Sequence, residues 1–114
     1  EMEARELARN IDWVIDEMED QSLVLLGDTN ILGAWEAAAE ILISAGFEDL
    51  NNEDCATYVG GNAPFDRFFM RSGRREFKYS RQYVLRSASE SAHLSYLSDH
   101  YLTKTSIKLY VDDD

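Results

Sequence analysis

Apolar side chains recur early in the chain at Leu7, Ile11, Val14, Ile15 and Met18. That spacing puts one stripe on a helix over 3–19, with Glu3, Glu6, Asp12, Asp16 and Glu19 largely outside it. Asp20-Gln21-Ser22 ends the helix, and Ser22–Leu26 reads as a short strand buried on both faces. The run halts at Gly27-Asp28-Thr29-Asn30, a polar group where open α/β folds keep ligand chemistry, though also ordinary turn material. Gly33–Ala45 is alanine-rich with Trp35, Ala38, Ala39, Leu42 and Ala45 at helical spacing, and Gly46 supplies the stop. Trp13 and Trp35 are expected as core anchors.

Phe47–Glu53 reads as a polar connection and Ala56–Val59 as a short strand closed by Gly60-Gly61-Asn62. Phe65–Met70 has the aromatic content of a central strand, Ser72-Gly73 turns the chain, and Glu76–Leu85 is expected as the next strand. Arg86–Ser95 reads as a serine-rich loop in which His93 lies at the surface. The final strand is expected over Tyr101–Val111, with Tyr101, Thr103, Thr105, Ile107, Leu109 and Val111 on one face, before the acidic tail Asp112–Asp114. Helix, strand, polar turn, helix is the order of an α/β (α+β) layered domain.

A chain of 114 residues is a single domain over 1–114, and 45% hydrophobic with 29% charged residues describes a globular one. No apolar run is long enough to span a bilayer, and the start is not signal-like. A start at Glu1, inside a helix, suggests a fragment or a processed product. Cys55 is the only cysteine, which excludes an intrachain disulfide, fits a reducing, cytoplasmic compartment and leaves no Cys/His cluster of zinc spacing.

The net charge of −11 argues against nucleic acid, but the distribution is uneven. Residues 1–54 hold fifteen acids and two bases, whereas 55–114 hold seven acids and nine bases. Arg67, Arg71, Arg74, Arg75, Lys78, Arg81 and Arg86 form a basic segment that reads equally as a phosphate-binding track or a solvated strand pair.

Polar residues punctuate the strands at three places: Asp28/Asn30, Asp66, and Asp99/His100. Asp66 is the anomaly, since a carboxylate among Phe65, Phe68 and Phe69 is costly to bury unless paired. Leu25-Leu26-Gly27-Asp28-Thr29-Asn30 after a helix, a Phe65-Asp66-Arg67-Phe68-Phe69 strand, and Ser98-Asp99-His100 opening the last strand together resemble the endonuclease/exonuclease/phosphatase superfamily. That family includes abasic-site endonucleases, pancreatic-type deoxyribonucleases, sphingomyelinases and inositol polyphosphate phosphatases. The order and spacing correspond to the C-terminal half of its domain, over essentially the whole chain. Thr29 departs from the pattern, where the family usually carries a large apolar residue.

The resemblance implies one helix-plus-sheet layer, half of a four-layer α/β/β/α sandwich. It implies a metal-dependent phosphodiester hydrolase, nuclease-like, using Mg²⁺ or Mn²⁺ on a phosphate-ester or nucleic-acid substrate. Asp28 would activate water, Asn30 would bond the phosphate, Asp99 would bind metal, and His100 would contact a phosphate oxygen with Asp66 behind it. The family's N-terminal half supplies a further asparagine and a metal-binding glutamate that this sequence does not contain. The isolated chain is therefore expected to be weak or inactive, its sheet covered by the missing half-domain or by a second copy in a homodimer. The alternatives are a non-catalytic binding or oligomerisation module that keeps this half-fold, and an unrelated acidic α/β domain.

Overall fold

The computed structural model describes residues 1–109. The first helix, α1 (Met2–Met18), follows the predicted periodicity and ends at Glu19 in the left-handed conformation. Its stripe is only partly buried: Ile11 is in the core and Ile15 packs against it, while Leu7 and Met18 remain exposed. The second helix, α2 (Ala37–Ser44), starts later than its alanine content suggests, because Gly33–Glu36 forms a turn closed by the Glu36 N–H on the Gly33 carbonyl. Gly46 follows at φ +96°, a conformation that stops the helix and that a Cβ would strain.

Strands β1 (Val24–Asp28), β2 (Phe47–Asp49) and β3 (Asp66–Arg71) form an antiparallel sheet in the order β1-β3-β2. The two helices cover one face, where Ile11, Ala39 and Leu42 meet Phe47 and Phe69, with Leu25 packed alongside. The fold is therefore mixed α+β, and β3 is central as its aromatic content predicts. The strand at 22–26 is not buried on both faces, however. β1 is an edge strand, and alternation turns Leu25 inward and leaves Leu26 69% exposed. Trp13 and Trp35 are not core anchors either; they are 63% and 71% exposed.

Other expectations change for local reasons. The segment after Gly46 is a strand and a buried turn rather than a polar connection, with Phe47, Asp49 and Asn51 all buried. Ala56–Val59 contributes a single antiparallel bridge, Tyr58 to His100. Glu76–Leu85 is not one strand: a 3₁₀ turn spans Arg75–Phe77, and only β4 (Tyr83–Leu85) is extended and paired. The serine-rich segment folds as α3 (Glu90–Tyr96), capped by the Ser89 side chain on the Ala92 N–H. The last strand, β5 (Leu102–Lys104), is shorter than predicted and pairs with β4 in a two-stranded ribbon. Of its expected inner face, Tyr101 is buried but Ile107 and Leu109 are exposed, and Val111 and the tail lie outside the described residues.

The polar turn exists to receive Arg67. This side chain, 1% exposed, leaves β3 on the helix-covered face and donates to Asp49 Oδ2 at 2.6 Å and Asp54 Oδ1 at 2.7 Å. It also reaches the Asn51 and Ile31 carbonyls at 3.1 and 3.3 Å, so its fork is satisfied on all sides. Arg67 is thus not part of any phosphate-binding track. Replacing it with methionine strands Asp49 without a cation in a buried site, and we expect a loss of about 3–5 kcal/mol of stability. Urea unfolding followed by circular dichroism reads this as a lowered midpoint.

Candidate active site

The register of β1 against β3 places Asp28 directly opposite Asp66. Like charges facing each other across a ladder repel, so a pair of carboxylates here calls for a cation between or beside them. His100 lies there and supplies one when protonated. Its Nδ1 lies 2.6 Å from Asp66 Oδ2, and because a carboxylate can only accept, the ring nitrogen donates. On the other side of the ring, Nε2 is 3.8 Å from Asp28 Oδ2 and 4.0 Å from Asp99 Oδ1. The hydrogen bond to Asp66 raises the pKa of His100; partial burial opposes this, and the charges of Asp66, Asp28 and Asp99 add to it.

Backbone bonds hold these groups in place. Thr57, fully buried, is the junction: its carbonyl accepts from the Tyr101 N–H at 2.7 Å and its hydroxyl from the Asp66 N–H at 3.0 Å. The Val59 N–H donates to the Asp99 carbonyl, so the Ser-Asp-His segment is clamped from both ends. Tyr58 sets its ring edge-on to the imidazole at 5.8 Å. At the end of β1, the Thr29 N–H and hydroxyl both donate to the Phe65 carbonyl, at 2.8 and 2.9 Å. The threonine thereby ties the Asp28 loop to the strand that carries Asp66. Asn30 follows in the left-handed region at φ 54°, its N–H on Asp28 Oδ1 at 3.2 Å.

Two supporting residues carry no sequence signal that would have placed them here. Gln82, just before β4, uses its amide as a strand substitute: it donates to the Asp66 carbonyl at 2.6 Å and accepts from the Phe68 N–H at 3.0 Å. His93 is not at the surface; it is buried on α3, with Nε2 donating to the His100 carbonyl at 2.9 Å and Nδ1 bonded to the Ser87 hydroxyl. The periodicity of α3 is hidden by its serines, which is why a loop is expected there and why His93 has no visible role.

Asp28, Asp66 and His100 open onto a cleft of about 420 Å³, floored by Phe68 and edged by Leu26 and Leu102. One ligand atom from each of the three lies within 4.8 Å of the others, and such a group could hold a metal ion. Its donors are mixed: carboxylate oxygens suit a hard cation, whereas Asp66 already engages Nδ1 and leaves the ring only Nε2. Asp99 stands at the rim with its side chain 60% exposed, and Asn30 is exposed beyond β1, outside the three-residue group. Compared with known protein families, curated proteins and solved structures, the chain matches none. Among the described residues no helix is long and apolar enough to cross a membrane.

A raised pKa means that the folded state holds the His100 proton more tightly than the unfolded chain, whose value is near 6.5. The stability this contributes is fully present below about pH 6.5 and is lost as pH rises through the folded value. Asp66→Asn removes the largest cause of the shift. An NMR titration of the imidazole should therefore show His100 titrating at lower pH in the variant than in the parent chain. An unchanged titration would show that the 2.6 Å contact does not hold the proton.

Proposed function

We propose that this chain carries the hydrolytic residues of a metal-dependent phosphoesterase, of the endonuclease/exonuclease/phosphatase kind its sequence resembles. The observation that supports this best is the pair of carboxylates facing each other across the β1–β3 ladder, with His100 braced on one and open toward the other. A stable core has no use for such a pair at an open cleft, whereas phosphoryl chemistry needs a base, an anion-binding donor and a cation together.

In this reading Asp28, the more exposed carboxylate, orients a water and takes its proton as the water oxygen attacks phosphorus. The phosphorus–oxygen ester bond breaks, and the departing alkoxide leaves with a proton drawn from solvent. His100, held as the imidazolium by Asp66, presents Nε2–H to a non-bridging oxygen as negative charge builds there. Asn30 donates its amide to the same phosphate from the loop after β1. Asp99, whose Oδ1 lies 4.0 Å from Nε2, would hold Mg²⁺, or Mn²⁺ in its place; the bound ion would supply electrostatic stabilisation of the phosphate. Imidazolium and cation repel, so His100 serves here as a donor to substrate and not as a ligand.

The resemblance also implies that this chain supplies one layer of a four-layer sandwich. The exposed Leu26 at the cleft edge fits a face that a complementary half-domain, or a second copy, would cover. The same exposed leucine favours the second reading, a binding or oligomerisation module that has kept the layer without the reaction.

Hydrolysis of bis(p-nitrophenyl) phosphate by the purified chain separates the two. We expect slow turnover that requires added Mg²⁺ and stops with EDTA. Asp28→Asn and His100→Ala should each lower it by about a hundred-fold or more. Full activity in either variant would overturn the assignment, and no metal-dependent turnover even with a complementary half-domain supplied would favour the module.

A further inference from the structure

We infer that the substrate strand of this site is single-stranded nucleic acid, received along a track of tyrosines and lysines that starts on the exposed face of the β4–β5 ribbon and continues to the Tyr79 turn. The inference rests on the hydrolytic reading above and adds its substrate class. In the ribbon, Tyr83 pairs with Lys104 and Leu85 with Leu102, and all four side chains are exposed. Leu102 edges the catalytic cleft, two residues beyond His100, so the ribbon face begins where the site ends. The Lys104 ammonium sits 5.9 Å from the Tyr83 ring centre.

Farther along, the chain after β5 is fastened to the 3₁₀ turn and to the residues just after it. The Lys108 N–H donates to the Glu76 carbonyl at 2.9 Å, and the Ser80 hydroxyl donates to the Ser106 carbonyl at 2.6 Å. This brings Lys108 and Lys78 each within 5.2 Å of the Tyr79 ring centre. Tyr79 itself is 81% exposed and is held at φ 67°, a left-handed conformation costly for a bulky residue. An aromatic ring kept in the solvent at such a cost, with ammonium groups beside it, is placed for an outside ligand and not for the core.

Aromatic faces alternating with lysines are the chemistry that binds single strands: bases stack on the rings while ammonium groups follow the phosphates. The lysine stems are flexible enough to move from ring to phosphate when a strand arrives. At about 3.3 Å per residue, the path from His100 to Lys104 covers about 13 Å, and onward to Lys108 about 26 Å at full extension. The protein's charge of −11 disfavours long-range attraction of any polyanion, which makes local stacking the larger part of recognition.

The test is fluorescence anisotropy of labelled oligo(dT) of about 12 nucleotides, within the site sizes common for single-strand binders. Run in EDTA at low salt, it reads binding without hydrolysis. The intact chain should bind with a salt slope that the triple variant Lys78→Ala/Lys104→Ala/Lys108→Ala reduces by about 2. Tyr79→Ala and Tyr83→Ala should each weaken binding about ten-fold, while Tyr79→Phe, which keeps the ring, should retain it. No binding at low salt, unchanged affinity in both tyrosine variants, or preferential binding to phosphatidylserine vesicles would each overturn the track. Cleavage of the small diester without oligonucleotide binding would sink this inference alone; binding without cleavage, even with a complementary half-domain supplied, would sink the hydrolytic reading and leave the track standing.

Discussion

The position of β3 governs everything at the cleft, and Arg67 sets that position. A guanidinium with essentially no exposure can be tolerated only if its donors are all met, and Asp49, Asp54 and two carbonyls meet them. Those partners come from the end of β2 with the turn after it and from the start of the loop after β1, on either side of β3 in the sheet. The ion pairs and the Ile31 carbonyl therefore lock two segments of chain to one strand. Successive side chains on a strand point to opposite faces, so fixing Arg67 inward obliges Asp66 to point outward. The buried charge on one face and the cleft carboxylate on the other are two consequences of one register.

Asp66 then needs a partner of its own, and the fold brings His100 from thirty-four residues away to provide it. The support is layered. Thr57 bonds both the strand carrying Asp66 and the segment carrying His100, Gln82 fills the vacant edge of β3, and His93 holds the His100 carbonyl. None of these residues faces the cleft as a reacting group. Each narrows the geometry between two ionisable groups, Asp66 and His100. The ribbon of β4 and β5 is part of the same scaffold, because Gln82 and Tyr101 flank it and both reach the site through hydrogen bonds.

Several elements were legible in the chain because a single local signal decides them. The α1 periodicity, the Gly46 stop, the Ser72-Gly73 turn and the central aromatic strand each depend on neighbours a few residues apart. Asp66 announced its need for a partner, since a carboxylate amid three phenylalanines is unfavourable alone. The failures share the opposite cause. Leu26 and the two tryptophans are apolar enough for a core, but whether another layer covers them is not written in their own segment. The stretch 47–53 looked like a solvated connection because nothing within it shows that Asp49, with Asp54 just beyond, pairs with Arg67. The serine-rich segment concealed a helix whose one buried polar residue, His93, serves a distant carbonyl.

The sequence by itself determined the local alphabet: which segments turn, which alternate, and which carboxylates and histidine stand at the ends of apolar runs. Propensity, turn chemistry and patterning act over a few residues, so one chain read in order suffices for them. Only the tertiary structure decided that Asp28 faces Asp66 across a ladder, that Arg67 is an internal tie rather than a surface charge, and that His93 stands behind His100. Those facts are distances between segments far apart in the chain. They are set by strand register and by the demand that every buried charge find its counterpart, and neither can be satisfied until the whole sheet has closed.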